Sequence, residues 1–142
     1  MRGNVKEAFA YYTDSLNMSQ AMGDTEQIAG NLRALSKTHW LRGNFEEAYA
    51  HAKAALEMFQ QINMISSIAG TTFFLAKINY SLGRVDEAKK QAEMAYEIFS
   101  KLGSHHLPET DELLEAINQA PNDPSAYLAK HGKKHLLDLS VG

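Results

Sequence analysis

The chain has 142 residues, a length that suits one domain, and its 44% hydrophobic and 22% charged residues are typical of a protein that buries a core. Its net charge of −3 argues against a dedicated nucleic-acid binder, and the absence of cysteine excludes disulfides, thiolate catalysis and cysteine-based zinc sites. No apolar run approaches the roughly 20 residues that cross a bilayer, and no apolar signal core follows the N-terminus. We therefore expect a cytoplasmic protein without membrane contact.

A repeat with a period of 40 residues organises the chain. Related hexads open on Gly3, Gly43 and Gly83, and the triplet 28–30 returns unchanged at 68–70. Such a period is typical of helical repeats, in which each unit buries its apolar face only against its neighbours. We predict a repeat domain over residues 1–120, followed by a C-terminal short helix and tail over 121–142. The repeat domain would comprise a partial unit 1–22, units 24–62 and 64–102, and a capping helix 108–119.

The first unit is incomplete, because a first helix would have to end at Met1 and Arg2. We expect a lone second helix over about residues 4–22. An exposed apolar edge on such a helix is either covered by another copy or prone to aggregate. We therefore predict a homodimer through this helix, with a dimer edge formed by Val5, Phe9, Tyr12 and Leu16.

The second unit has the signals of a helical hairpin. Asp24 with Gln27 three residues later is a capping-box pattern, which predicts a helix from about Thr25 to Leu41. Gly43 would close this helix in the left-handed conformation. Apolar residues from Phe45 to Ile62 step by three or four, which predicts a second helix. A turn this short makes the two helices antiparallel neighbours.

The third unit repeats this pattern and the period then fades. We predict helices over about 64–82 and 85–102, with Gly83 at the turn. After a loop, Pro108 suits the first turn of an amphipathic helix that covers the last hairpin. Asp123 is expected to cap a short helix with Pro124 at its first position, ending near Gly132. Residues 133–142 carry an apolar set that either docks or frays, and the sequence leaves this open.

These residues resemble the tetratricopeptide repeat (TPR) family, in a variant longer than the usual 34-residue repeat. The family pattern of turn glycine, aromatic, alanine and a late Ala-Leu is matched by Gly43, Phe45, Ala48 and Ala55-Leu56. The third unit matches it with two relaxations and the first matches half of it. The resemblance implies an all-α, right-handed superhelix of antiparallel hairpins with about six or seven helices. It also implies a concave groove, lined by the first helices, that commonly holds peptides or partner helices.

Carried over by register, two stripes of side chains would line that groove. They combine cations with aromatic rings: Arg33, Lys37 and Trp40 from the second unit, and Phe73, Lys77 and Tyr80 from the third. Such a surface suits an acidic or carboxylate-bearing peptide with an apolar residue. The alternative is that Trp40, Phe73 and Tyr80 pack between repeats and that the lysines are solvated. The asparagine pair of the family's chaperone-tail clamp is absent, since lysines stand there.

Two further features admit a structural and a functional interpretation. Gly30 and Gly70 lie inside predicted helices, where each costs about 1 kcal/mol against alanine. Close helix approach is the expected reason, and a ligand backbone lying across them is the alternative. Of the six histidines, His131 and His135 are spaced by four, but supporting carboxylates are missing, so we expect no metal site.

The sequence therefore predicts a non-catalytic protein-interaction module without a cofactor. No phosphate loop or nucleophile elbow occurs, and an enzyme is not expected. The partner would be a protein or a peptide, with an acidic one favoured, rather than nucleic acid. The alternative is a regulatory or sensor TPR segment of a larger signalling or transcription-regulator protein.

Overall fold

The computed structural model describes residues 4–133, and this part of the chain contains α-helices and no strand. The all-α prediction is thereby confirmed. Met1 to Gly3 and the predicted tail from residue 134 onward, including His135, lie outside the described residues. The helices are α1 (Asn4–Met22), α2 (Thr25–Leu41), α3 (Phe45–Gln61), α4 (Ile65–Ser81), α5 (Val85–Leu102), α6 (Leu107–Gln119) and α7 (Ser125–Leu128), which continues as a π-helical turn (Ala129–Lys133).

The turns between paired helices are held as the glycines predict. Gly43 and Gly83 have φ angles of 80° and 81°, which L side chains rarely adopt. Just beyond each glycine, an amide closes the end of the preceding helix: Asn44 N donates to His39 O and Arg84 N donates to Asn79 O, both at 2.8 Å. Each pair of helices therefore meets at a tight corner.

Contacts along α2 and α3 show that this pair is antiparallel. Near the turn, Ser36 Oγ donates to Ala48 O at 2.6 Å. Far from the turn, Ala29 clusters with Ala55 and Phe59. The alanines of this interface are fully buried, and small side chains allow two helices to approach closely.

Helices pack mainly on their neighbours in the chain, as expected of a helical repeat. Contacts are densest between α2 and α3 and between α4 and α5, followed by the α1–α2, α3–α4 and α5–α6 pairs. Asp24 caps α2 as predicted, accepting a hydrogen bond from Gln27 N at 3.2 Å. None of the helices within residues 4–133 combines the length and hydrophobicity needed to span a bilayer.

The segment after α6 folds back onto the repeat. The Tyr80 hydroxyl donates to Ala120 O at 2.7 Å, and the Tyr127 ring packs edge-on against Tyr80 at 5.9 Å between centroids. Leu128 packs in the same apolar cluster as Trp40. The expected start of α7 is shifted by one residue, because Pro124 is the N-cap and Asp123 accepts a hydrogen bond from Ser125 N.

Candidate binding groove

Two adjoining cavities lie between α2, α4 and α6, with volumes of about 430 and 360 Å³. We call them together the groove. The larger cavity is lined by Gly30, Arg33, Ala34, Lys37, Gly70, Phe73, Phe74, Phe99, His106 and Glu109. The smaller is lined by Lys37, Trp40, Phe73, Phe74, Lys77, Glu109, Glu112, Tyr127 and His131. Of the six predicted groove residues, the structure brings together all but Tyr80.

Arg33 and Lys37 are the cations that α2 contributes. The Arg33 guanidinium lies 5.4 Å from the centroid of the Phe59 ring, an arrangement that holds the side chain over an aromatic face. Burial lowers the pKa of Arg33, although an arginine stays charged at neutral pH. Lys37 is exposed and borders both cavities, so an incoming anion can reach it from either side.

Lys77 lies inside a box of aromatic rings. Its Nζ is 4.9 Å from the centroid of Trp40, 5.4 Å from that of Phe73 and 5.6 Å from that of Phe74. Burial and the positive charge of Lys37 lower the pKa of Lys77 from 10.5 to about 8. A lysine with a strongly displaced pKa inside a cavity is a typical feature of functional sites.

Trp40 and Tyr80 occupy equivalent register positions but differ in their surroundings. Trp40 is 3% exposed; its Nε1 donates to Ser81 Oγ at 3.0 Å, and its ring forms part of the wall of the smaller cavity. Tyr80 is 1% exposed and lines neither cavity, because α6 and α7 cover it. Tyr80 is therefore a packed interior residue rather than a groove residue. Trp40 is also largely packed, between α2 and α4, but part of its ring reaches the smaller cavity.

Sequence reasoning missed the acidic rim of the groove, which α6 supplies. Glu112 accepts a hydrogen bond from Lys130 Nζ and lies 2.9 Å from His131 Nε2. The hydrogen bond from Lys130 is the main reason that the pKa of Glu112 is lowered. Burial lowers the pKa of His131 against the opposing effect of Glu112. Since Lys130 already pairs with Glu112, this carboxylate does not fully balance the positive charges of Lys37 and Lys77.

Gly30 and Gly70 do not mark close helix packing, so the expected reason for them is wrong. Among the described residues, a Cβ at Gly30 would meet no atom within 4 Å, and one at Gly70 would meet only Arg33 Nη1, at 3.5 Å. Both glycines line the larger cavity. Their effect is to leave the wall of the groove without side chains at two equivalent points.

The predicted dimer edge is partly used within the molecule. Val5, Phe9, Tyr12 and Leu16 are all half-buried. The Phe9 ring packs edge-on against His39 at 5.2 Å, and the Arg42 guanidinium lies 5.5 Å from its centroid. The large apolar side chains that α1 exposes are instead Tyr11, Met18 and Met22.

The groove combines cationic side chains, aromatic rings and, at Gly30 and Gly70, wall positions without a side chain. A carboxylate can bind to Lys37 or Arg33 while an apolar side chain contacts Phe73 and Phe74. No group of three or more histidine or acidic residues within residues 4–133 is arranged to hold a metal ion. In comparisons with known proteins, no family model and no curated protein matches this chain, so its function must be inferred from the geometry of the groove.

Proposed function

We propose that this chain is a non-catalytic, TPR-like interaction module that binds an acidic peptide, or an acidic segment of a partner protein, in the groove. The observation that carries the proposal is the set of three cations along the groove, Arg33 in the larger cavity, Lys77 in the smaller and Lys37 in both, beside the rings of Phe73 and Phe74. The periodic sequence and the consecutive packing of the helices support a repeat protein of this kind.

The charge balance of the groove favours an anionic ligand. Burial is the main cause of the lowered pKa of Lys77, and repulsion from Lys37 adds to it, so an anion placed between the two lysines relieves this repulsion. Glu109 lines both cavities, and its carboxylate lies 3.6 Å from His106 Nδ1. A ligand carboxylate is expected beside Arg33 and Lys37, because Glu112 lines only the smaller cavity.

The shape of the groove favours an extended chain over a compact small molecule. Its two cavities follow one another along α2 and α4, and Lys37, Phe73 and Phe74 border both. The missing side chains at Gly30 and Gly70 leave room for a main chain to lie against the helices. Phe73 and Phe74 then supply the apolar area on which a peptide side chain is desolvated.

The fluorescence of Trp40 can report binding, because Trp40 is the single tryptophan of the chain and lines the smaller cavity. We would follow its fluorescence while titrating acidic octapeptides that contain one phenylalanine, with the glutamine-substituted peptides as ligand controls. Binding of the acidic peptides is expected to weaken as salt rises, since the contacts at Lys37 are exposed.

Two lysine variants distinguish binding in the groove from a general effect of the protein's charge. Lys37→Glu reverses an exposed charge in the groove, and Lys89→Glu makes the same change on the exposed face of α5. We expect Lys37→Glu to weaken binding about tenfold or more, which is about 1.4 kcal/mol, and Lys89→Glu to have little effect. Equal losses in both variants, or tight binding of the neutral peptides, would contradict the proposal.

A further inference from the structure

One face of α1 exposes apolar side chains that the rest of the described structure does not cover. Tyr11 and Met18 are each 66% exposed and Met22 is 77% exposed. With Ser15 they follow one stripe along the helix, since their spacing is three or four residues. A shallow cavity of about 330 Å³ runs beside them, with Asp24, Gln27 and Asn31 at its α2 side.

The internal repeat shows what lies on this face in the two complete hairpins. Position 8 of α1 corresponds to Ala48 of α3 and Ala88 of α5, and both are 0% exposed, whereas Ala8 is only half-buried. Position 15 corresponds to Ala55 and Ala95, again both 0% exposed, whereas Ser15 is half-buried. The face of α1 that is open is therefore the face that α3 and α5 bury.

The burying element in each hairpin is the preceding helix. The His51 ring of α3 lies 5.0 Å from the ring of His39 on α2. One repeat later, Asn79 Nδ2 on α4 donates to Gln91 Oε1 on α5 at 2.7 Å. Tyr11 holds the position of His51 and Gln91 in the 40-residue register.

The two covering helices also define the surface that fits. The α2 helix presents Ala29 and Ser36, and α4 presents Ala69 and Ala76. Each pair is seven residues apart and is 0% exposed. Small residues at this spacing bring the axes of the helices together along two turns. In each helix a polar residue, His39 or Asn79, follows three residues later.

We propose that the open face of α1 is a docking surface for one helix that runs antiparallel to it and packs as α2 packs on α3. The partner helix carries two small residues seven apart and a polar residue three positions further on. Contact with this helix covers Met18, covers Met22 in part, and gives α1 the kind of neighbour that α3 and α5 each have. The surface is separate from the groove and does not depend on the function proposed for it.

The test supplies such a helix from the chain itself. A copy of residues 24–44 is placed directly before Val5, which preserves the register because position 44 corresponds to position 4. Joining the helix covalently gives it a high effective concentration and offsets the weak helicity of a short free peptide. Peroxide oxidation of individual methionines, followed by mass spectrometry, then reports whether the face is covered.

We expect oxidation of Met18 to slow by roughly fivefold or more in the extended chain. Oxidation of Met22 should slow less, because Leu102, at the equivalent position of α5, stays 48% exposed. Met94, which is 50% exposed on α5, is the internal control and should react at an unchanged rate. A matched extended chain with Ser36→Glu in the added copy alone should lose the protection, since a charge is then placed in the contact. Oxidation of Met18 at the same rate with and without the added helix would overturn the proposal.

Sedimentation of the unextended chain tests whether a second copy of the protein, rather than a helix of the α2 type, covers this face of α1. A monomer that gains protection only when the helix is added supports the proposal. A dimer that dissociates on Met18→Glu would show that α1 of a second copy covers the face, and would overturn the assignment to a helix of the α2 type.

Discussion

Replacing Lys77 by methionine should stabilise the protein at neutral pH and abolish a rise in its stability at alkaline pH. Burial and the nearby Lys37 hold the pKa of Lys77 at about 8 instead of 10.5, although Glu109 and Glu112 oppose this shift. The charged ammonium is therefore less stable in the folded protein than in the unfolded chain. Methionine keeps an unbranched apolar stem against the rings and removes the charge.

The sign follows from proton linkage. Because the folded-state pKa lies below the unfolded value, the unfolded chain binds more protons between about pH 8 and 10.5, and stability rises with pH in that window. The full displacement of about 2.5 pKa units corresponds to at most about 3.4 kcal/mol. Some of the Lys77 side chain remains in contact with solvent, which reduces this figure, and we expect the wild type to gain about 1 kcal/mol between about pH 7 and pH 10.5, more than half of it by pH 9.5.

Urea unfolding at the two pH values measures this difference. Lys77→Met should be about 1 kcal/mol more stable than the wild type near neutral pH, and this advantage should be clearly smaller at pH 9.5 and vanish above about pH 10.5, the unfolded-state pKa. Lys89→Met, which removes an exposed lysine from α5, should follow the wild type at both values. If the wild type and Lys77→Met change in parallel with pH, Lys77 is not the buried cation described here and the reasoning fails.

Further substitutions test the fold by the same unfolding measurement. Tyr80→Phe removes the hydroxyl that binds Ala120 O and should cost about 1–2 kcal/mol, whereas Tyr96→Phe on the exposed face of α5 should cost almost nothing. Asp24→Ala removes the cap of α2 and should cost about 1 kcal/mol; an equal loss in Asn44→Ala, whose side chain makes no cap hydrogen bond, would argue against a capping effect. Ala92→Leu should destabilise by about 1–3 kcal/mol because its site is fully buried, and an unchanged midpoint would show that the hairpin interface is loose.

The helices within the repeat were predictable because two independent features of the sequence, the apolar spacing and the turn glycines, indicate the same helix bounds. The apolar spacing identifies the helical faces, and glycine at 43 and 83 fixes the turns, so the observed bounds of α2 to α5 differ from the predicted ones by at most one residue. The positions of Arg33, Lys37, Phe73 and Lys77 on one surface followed from the same register. Local patterning sufficed there because each contact is made by a neighbour in the chain.

The rest of the groove was not predictable, because it is built by residues outside the repeat. Tyr127 and His131 reach the groove only after the chain reverses at Ala120, and no periodic pattern links them to α4. Tyr80 was assigned to the groove because it matches Trp40 in register. The two residues contact different helices: α4 covers the Trp40 side chain, whereas α6 and α7 cover the Tyr80 side chain. Register identifies an equivalent position, but the neighbour that covers it decides its role.

The return of the C-terminal segment to α2 also affects how the protein folds. Helices that contact mainly their chain neighbours have low contact order, which favours rapid, local assembly from any hairpin and fraying at the ends. Leu128, in the same apolar cluster as Trp40, adds a closure over a long stretch of chain. Such a closure forms late because it requires a large loop, but once formed it ties α2, α4 and α6 into one cooperative unit. Amide exchange should therefore be slowest around the groove and fastest in α1.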